Sequence, residues 1–372
     1  MSVCTLTRTR CCCCTALECC STTMAAASLS VDLDFTRRLP KIELHAHLTG
    51  SISRACLHDI WMSQKRQQPD LAIEDPLVAI PSGKVDYDVQ TFFPLFSSYI
   101  YKLCNDVASI EFSTTAVLHE FQSDGVVYLE LRTTPRAIAE HNISKDDYVR
   151  TVTHLLTAHN EDTSNTMRVF LILSVDRRNT LAEADEVIDL AIKYRSSGVV
   201  GVDLCGNPAK GDVRTFTTAF SRAKAVGLNI TVHFAETAAS ATDQELHTLL
   251  SWQPDRLGHV IHVKDEFRAM IEARNIAVEL CLSCNVHAKL ITGTYSDHHF
   301  GMWRHSSVPV VLCTDDVGVF CSPLSAEYHL AATNFDLDRR QLKQLAERAI
   351  SCIFMGSTEG GRLRNIYSTW EV

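Results

Sequence analysis

The chain contains no continuous apolar run long enough to cross a bilayer as a helix, which excludes an ordinary helical membrane protein. An excess of positive charge is missing too: 35 Lys and Arg stand against 44 Asp and Glu, a formal net charge of -9. This balance argues against partnership with a nucleic-acid polymer or an anionic membrane surface. No G-x-G-x-x-G follows the first apolar strand and no G-x-x-x-x-G-K-[ST] occurs, so dinucleotide and P-loop readings lack support. What remains is 372 residues with 46% hydrophobic and 21% charged positions, enough for one large globular α/β domain or two ordinary ones.

The cysteines fall into two populations. Cys4, Cys11 to Cys14, Cys19 and Cys20 crowd the first 20 residues, while eight others are scattered singly. Residues 1–30 are expected to be a disordered cysteine-rich extension, with lipidation or adventitious metal binding as the alternatives. The scattered cysteines read as buried thiols rather than disulfides, and the expected location is the cytosol. Cys281 and Cys284 make a single C-x-x-C, which is weak evidence for thiolate zinc without a second pair.

Beyond Pro40 the pattern is periodic. Apolar strand-like runs occur at 41–48, 126–131, 167–174, 199–204, 229–234, 256–260, 276–281 and 309–314, and helical patterns separate them. Strands apolar on both faces need both faces covered, which predicts a (β/α)8 TIM barrel over residues 31–372, with additional helices after the first and eighth strands. A doubly wound open sheet is the alternative fold. Residues 65–90, rich in proline, read as a lid over the site or as a plain surface loop. One long helix is expected over 91–123, and residues 356–372 read as an irregular tail.

Polar residues then accumulate where a barrel places its chemistry, at the carboxyl ends of strands. His45 and His47 lie two apart on the first strand, so their side chains leave on one side. His233, His259, Asp315 and Asp316 fall at the ends of later strands. His45, His47, His233 and Asp315 form a nitrogen-rich set with one hard oxygen, suited to one Zn2+ per chain with room for water. Glu236, three residues beyond His233, is placed to move a proton to substrate, and His259 to position the water.

These motifs identify a resemblance. Leu-His-Ala-His-Leu at 44–48, Gly-Val-Asp-Leu-Cys-Gly at 201–206, Val-His-Phe-Ala-Glu at 232–236, Leu-Gly-His-Val at 257–260 and Cys-Thr-Asp-Asp at 313–316 make the chain similar to the adenosine and AMP deaminase family of the amidohydrolase superfamily, over roughly 36–360. The resemblance implies hydrolytic deamination at purine C6. Glu236 would protonate N1, His259 and Asp315 would orient and deprotonate the water, Asp316 would hold N7, and the Gly206 backbone would contact N3. The cysteine-based ligand motif of base deaminases is absent, and no lysine ends the fourth strand to bridge two metals.

Within the family, adenosine-specific members carry His-x-His-Leu-Asp, and here Thr49 takes the place of that aspartate. Loss of a carboxylate that would repel a 5′-phosphate favours a purine nucleoside monophosphate, with Ser51 as a further hydroxyl donor. Arg132 is the expected cationic contact, with Arg136 and Lys289 as weaker candidates, and Asn285 joins the expected substrate contacts. Cys284 stands where a serine is usual, which predicts a weaker hydrogen bond. The expected reaction is N6-methyl-AMP to IMP and methylamine. Adenosine or AMP deamination, and a non-catalytic purine-nucleotide binder, are the alternatives. The chain is expected to act as a monomer.

Overall fold

A computed structural model describes residues 30–372, and the cysteine-rich extension expected at 1–30 lies outside the described residues apart from Ser30. Eight parallel strands follow one another in spatial order: β1 (Lys41–His47), β2 (Val126–Thr133), β3 (Arg168–Asp176), β4 (Val199–Cys205), β5 (Asn229–Phe234), β6 (Arg256–His259), β7 (Ala277–Leu280) and β8 (Val310–Leu312). The seam closes just beyond β8, where the Asp315 amide donates to the His45 carbonyl and the His47 amide to the Asp315 carbonyl, at 2.7 and 2.9 Å. The predicted barrel is therefore the observed one. Helices such as Lys145–Glu161 and Leu181–Lys193 cover its outer face, each started by a reciprocal capping box at Ser144 or Thr180.

Strand burial explains the apolar pattern: β4 is buried at all seven positions, with helices outside and packed side chains within. The barrel interior also holds charge. Arg132, Arg256, Glu130 and Glu279 are all buried there, and Arg256 Nε donates to Glu279 Oε1 at 2.6 Å. Ions out of water are tolerated only when paired and hydrogen-bonded. This packed polar layer forms the floor of the site above it.

Three local expectations are corrected. The helix expected over 91–123 is broken into Val89–Leu95, a π-turn at Phe96–Ile100, Tyr101–Leu103 and Val107–Ser123. Pro94 lies within the first piece, and the last restarts at an Asp106 cap whose carboxylate accepts from the Ser109 amide. Residues 356–369 are helical rather than irregular, because Leu363 and Tyr367 bury themselves and the Tyr367 hydroxyl donates to the Pro40 carbonyl at 2.8 Å. Finally, the proline-rich stretch after the first helix is tied down: the buried Arg54 guanidinium donates to the carbonyls of Pro81 and Lys84. The overhang of the site comes from the following segment, through Phe92, Phe93 and Phe96.

Candidate active site

At the carboxyl ends of the strands lies a cavity of about 730 Å³. His45 Nε2 and His47 Nε2 each lie 3.2 Å from His233 Nε2, and each lies 3.3 Å from Asp315 Oδ1. These are four edges of a polyhedron with one atom from each residue at its corners. Donors bound to zinc at about 2.0–2.1 Å in a tetrahedron stand about 3.3 Å apart, so the spacing matches a common central ion.

The hydrogen bonds around the imidazoles support this reading. His233 Nδ1 lies 2.8 Å from the Leu204 carbonyl, which can only accept, so Nδ1 carries the proton and Nε2 presents a lone pair. His45 Nδ1 lies 2.8 Å from Glu279 Oε2 and takes the same tautomer. With both rings neutral, two lone pairs and a carboxylate oxygen face one another in a buried space, an arrangement suited to a cation between them. Burial and Arg132 push the His45 pKa down, but its bonds with Asp315 and Glu279 prevail and raise it to about 9, so a cation bound here would take the place of the His45 Nε2 proton. Burial holds His233 down at about 4. The donor set therefore fits a resident metal ion.

Three further groups face the same space. Glu236 is half-buried and lines the cavity; desolvation and the neighbouring Asp315 charge push its carboxyl up to about 8. It is an acid at neutral pH. Burial also raises Asp316, reinforced by Asp315 and Glu236, while the bonds from His45 and His47 overcome burial to hold Asp315 well below the usual carboxylate range. The two consecutive aspartates are thus pushed in opposite directions. His259 is fully buried, kept neutral by desolvation, and its Nε2 has no hydrogen-bond partner, lying 3.9 Å from Asp315 Oδ2.

Backbone conformation fixes this arrangement. His259, Val260, Asp315 and Ala235, which precedes Glu236, all have positive φ, between 47° and 64°. Such non-glycine residues concentrate where structure over-determines a strained turn, commonly at functional sites. Gly206 also has φ +97° and lies so close to Asp176 that a Cβ would sit 2.9 Å from its carboxylate. Gly50 is required by contact alone: a Cβ there would fall 1.4 Å from Asp316 Oδ1.

The expected residues divide accordingly. His45, His47, His233, His259, Asp315, Asp316, Glu236, Gly206 and Thr49 converge on the site. Arg132 also lines the cavity, but its guanidinium is fully buried, donates to the Leu44 carbonyl and Glu279, and pairs with Asp203. Ser51 lies away from the cavity, in a small pocket with Glu120 and Asp124. The amide of Asn285 is occupied by His259 and His298. Arg136 is stacked over Tyr101, 4.3 Å from the ring centroid, and Lys289 is outside the cavity lining. Cys284 Sγ lies 2.8 Å from Asp315 Oδ2, so the thiol keeps a contact with the carboxylate. Sequence reasoning missed Arg178, Asp176, Ser97, Tyr101 and Thr134, which line the cavity from the ends of β2 and β3 and from the helical turns at 96–103, outside any motif.

A donor set that would hold a metal, beside a carboxyl with a raised pKa and a neutral imidazole, is suited to activating water. Fold and site together define a metal-dependent hydrolase on an eight-stranded barrel. Comparison with known proteins narrows this class: the adenosine deaminase family profile matches residues 40–369, and the chain belongs to that family. It is 36% identical to the N6-methyl-AMP deaminase of Danio rerio over 332 residues, covering 86% of this chain and 92% of that protein. The crystal structure of the Arabidopsis N6-mAMP deaminase superimposes with a TM-score of 0.83 at 35% identity, covering 91% of this chain and all of the other. An Arabidopsis ADAL structure complexed with IMP matches with a TM-score of 0.82 at 35% identity, covering 90% and 98%.

Proposed function

We propose that this protein is a zinc-dependent deaminase of purine nucleoside monophosphates that converts N6-methyl-AMP to IMP and methylamine. The observation that carries the reading is the facing of His45, His47, His233 and Asp315 donors beside the Glu236 and Asp316 carboxyls, both of which burial pushes up. The relatives named above, and the IMP complex of one of them, supply the substrate class.

His45, His47, His233 and Asp315 would hold the zinc. When bound, it supplies Lewis-acid activation of water at neutral pH. Glu236, as an acid, donates its proton to purine N1, which makes C6 accept the attacking oxygen. Asp316, also protonated, donates to N7, which can only accept. The Gly206 backbone is close enough to the cavity floor to meet N3. Asp315 Oδ2 takes a proton from the attacking water. The water oxygen becomes O6 and the C6–N6 bond breaks. One water proton leaves on the amine and the other restores the Glu236 acid, whose own proton stays on N1.

Thr49, Ser97 and Thr134 offer hydroxyls at the cavity mouth, and Arg178 supplies the cation that Arg132 does not. Arg178 is forked onto Asp176 at 2.7–2.8 Å with its side chain 61% exposed, so its guanidinium is held at the cavity lining with its outer face open to a ligand. These groups form the 5′-phosphate end of the proposed site, and Phe92, Phe93 and Phe96 wall it. Turnover of N6-methyl-AMP in 18O-labelled water tests the chemistry: the label should appear in IMP at C6, with one methylamine released per IMP. Unlabelled IMP, or no IMP, would contradict it.

A further inference from the structure

Asn285 sits between two buried histidines, and the three side chains are 2.9 and 3.1 Å apart. At the far end, the Phe300 amide donates to His298 Nδ1 at 3.0 Å. A backbone N–H can only donate, so His298 Nδ1 must keep its lone pair. Neutral His298 then carries its proton on Nε2, the nitrogen facing Asn285. As placed, Asn285 turns its amide nitrogen, Nδ2, to that position and its oxygen, Oδ1, to His259 Nδ1. Two donors would face each other. The two ends of a carboxamide have nearly the same shape, and the hydrogen-bond network decides between them.

We infer that the Asn285 amide is oriented oppositely, accepting from His298 Nε2–H and donating to His259 Nδ1, so that His259 is fixed as the Nε2–H tautomer. The consequence reaches the reaction. His259 Nε2 is unpartnered and faces Asp315 Oδ2 across 3.9 Å, the space in which the attacking water is proposed to lie. With a proton on Nε2, His259 donates to that water and cannot be the base. Proton acceptance then belongs to Asp315 alone. Asn285 and His298 are positioning residues, acting through His259.

The neighbouring His299 completes the device. Its Nε2 donates to the His259 carbonyl at 2.6 Å and its ring stacks on His298, with centroids 4.1 Å apart. His259 has φ +64° and is followed by Val260 at +47°, a strained pair that this bond holds. Consecutive histidines thus fix the backbone and, through Asn285, the ring proton of one residue.

The catalytic consequence rests on the deaminase reading, whereas the proton positions do not. Neutron diffraction of the zinc-loaded, deuterium-exchanged enzyme reads them without turnover. Expected are deuterium on His298 Nε2 and His259 Nε2, with the ND2 group of Asn285 turned to His259. Deuterium on His259 Nδ1 facing the Asn285 oxygen overturns the inference. In Asn285→Leu neither bond can form and the His259 ring proton is no longer fixed on Nε2, so kcat should fall about tenfold or more, towards the loss expected for one preorganised donor, with KM and zinc content unchanged. Near-normal kcat in a zinc-replete Asn285→Leu variant would overturn it as well. Should that variant fail to fold, the wild-type neutron map decides alone. Should wild-type enzyme show the expected protons but no deamination, the tautomer stands and the deaminase reading fails.

Discussion

His45 Nδ1 donates to Glu279 Oε2 at 2.8 Å, joining the first strand to the seventh beneath the metal site. Glu279 also accepts from Arg132 and Arg256, and although burial pushes its carboxyl up, the charges of these arginines hold it well below the usual range. A carboxylate behind a metal-binding histidine fixes its tautomer and raises its basicity, and its loss commonly costs 10–100-fold in metal affinity. Glu279→Gln should therefore weaken zinc binding by about that factor in chelator competition. The variant should also lose about 3–5 kcal/mol of stability, because two buried guanidinium groups lose a charge partner. Unchanged affinity would show that Glu279 does not act through His45.

Arg132 and Arg178 should separate cleanly. Removing Arg178 deletes a charge-assisted contact worth about 1.5–3 kcal/mol. For Arg178→Ala we expect KM for the nucleotide to rise about 10–100-fold, with the nucleoside little affected. Arg132→Ala should instead lower the melting temperature and zinc retention, because its partners Glu279 and Asp203 are buried. Steady-state kinetics with matched nucleotide and nucleoside, beside thermal melts, distinguishes them. A nucleotide-specific KM effect for Arg132→Ala at wild-type stability would restore Arg132 as the phosphate contact.

Glu236 is proposed to work as an acid, and burial with the Asp315 charge raises its pKa to about 8. Its active form is present below that pKa and is lost as pH rises through it, so kcat/KM should show a basic limb. A bound cation pulls this limb downward. Glu236→Gln should lose the limb together with about 10²–10⁴-fold in kcat, while metal content stays at one per chain. A retained limb in that variant would assign it to another group.

Gly50 is coupled to Asp316 by space. Adding a methyl group at residue 50 would put carbon within 1.4 Å of Asp316 Oδ1. Gly50→Ala should displace the N7-binding carboxyl and reduce kcat/KM at least tenfold, with zinc still bound. Wild-type kinetics would mean that Asp316 can move without consequence.

The barrel and the facing of His45, His47, His233 and Asp315 were legible because their signals are local: apolar runs mark strands, and these donors stand at strand ends. The role of Arg132 was not legible, since its partners Glu279 and Asp203 come from distant strands and only closure of the barrel brings them together. Asn285 was read as a substrate contact for a similar reason. Its neighbours His259 and His298 meet it through the tertiary fold, and no sequence spacing announces the pair. The rest of the cavity lining was least legible: Ser97 sits in a π-helical turn that breaks the 3.6-residue period, and Arg178 in the turn after β3, where periodicity carries no information. The tail at 356–369 was misread because its apolar contacts, Leu363 and Tyr367, are few among polar and glycine residues.

Substrate choice is the point on which the account turns. Zinc-loaded enzyme should be given N6-methyl-AMP, AMP, N6-methyladenosine and adenosine side by side, with kcat/KM measured for each. The account predicts that N6-methyl-AMP is turned over best, releasing methylamine, and that both nucleosides are poor substrates. Equal or better turnover of adenosine would contradict it.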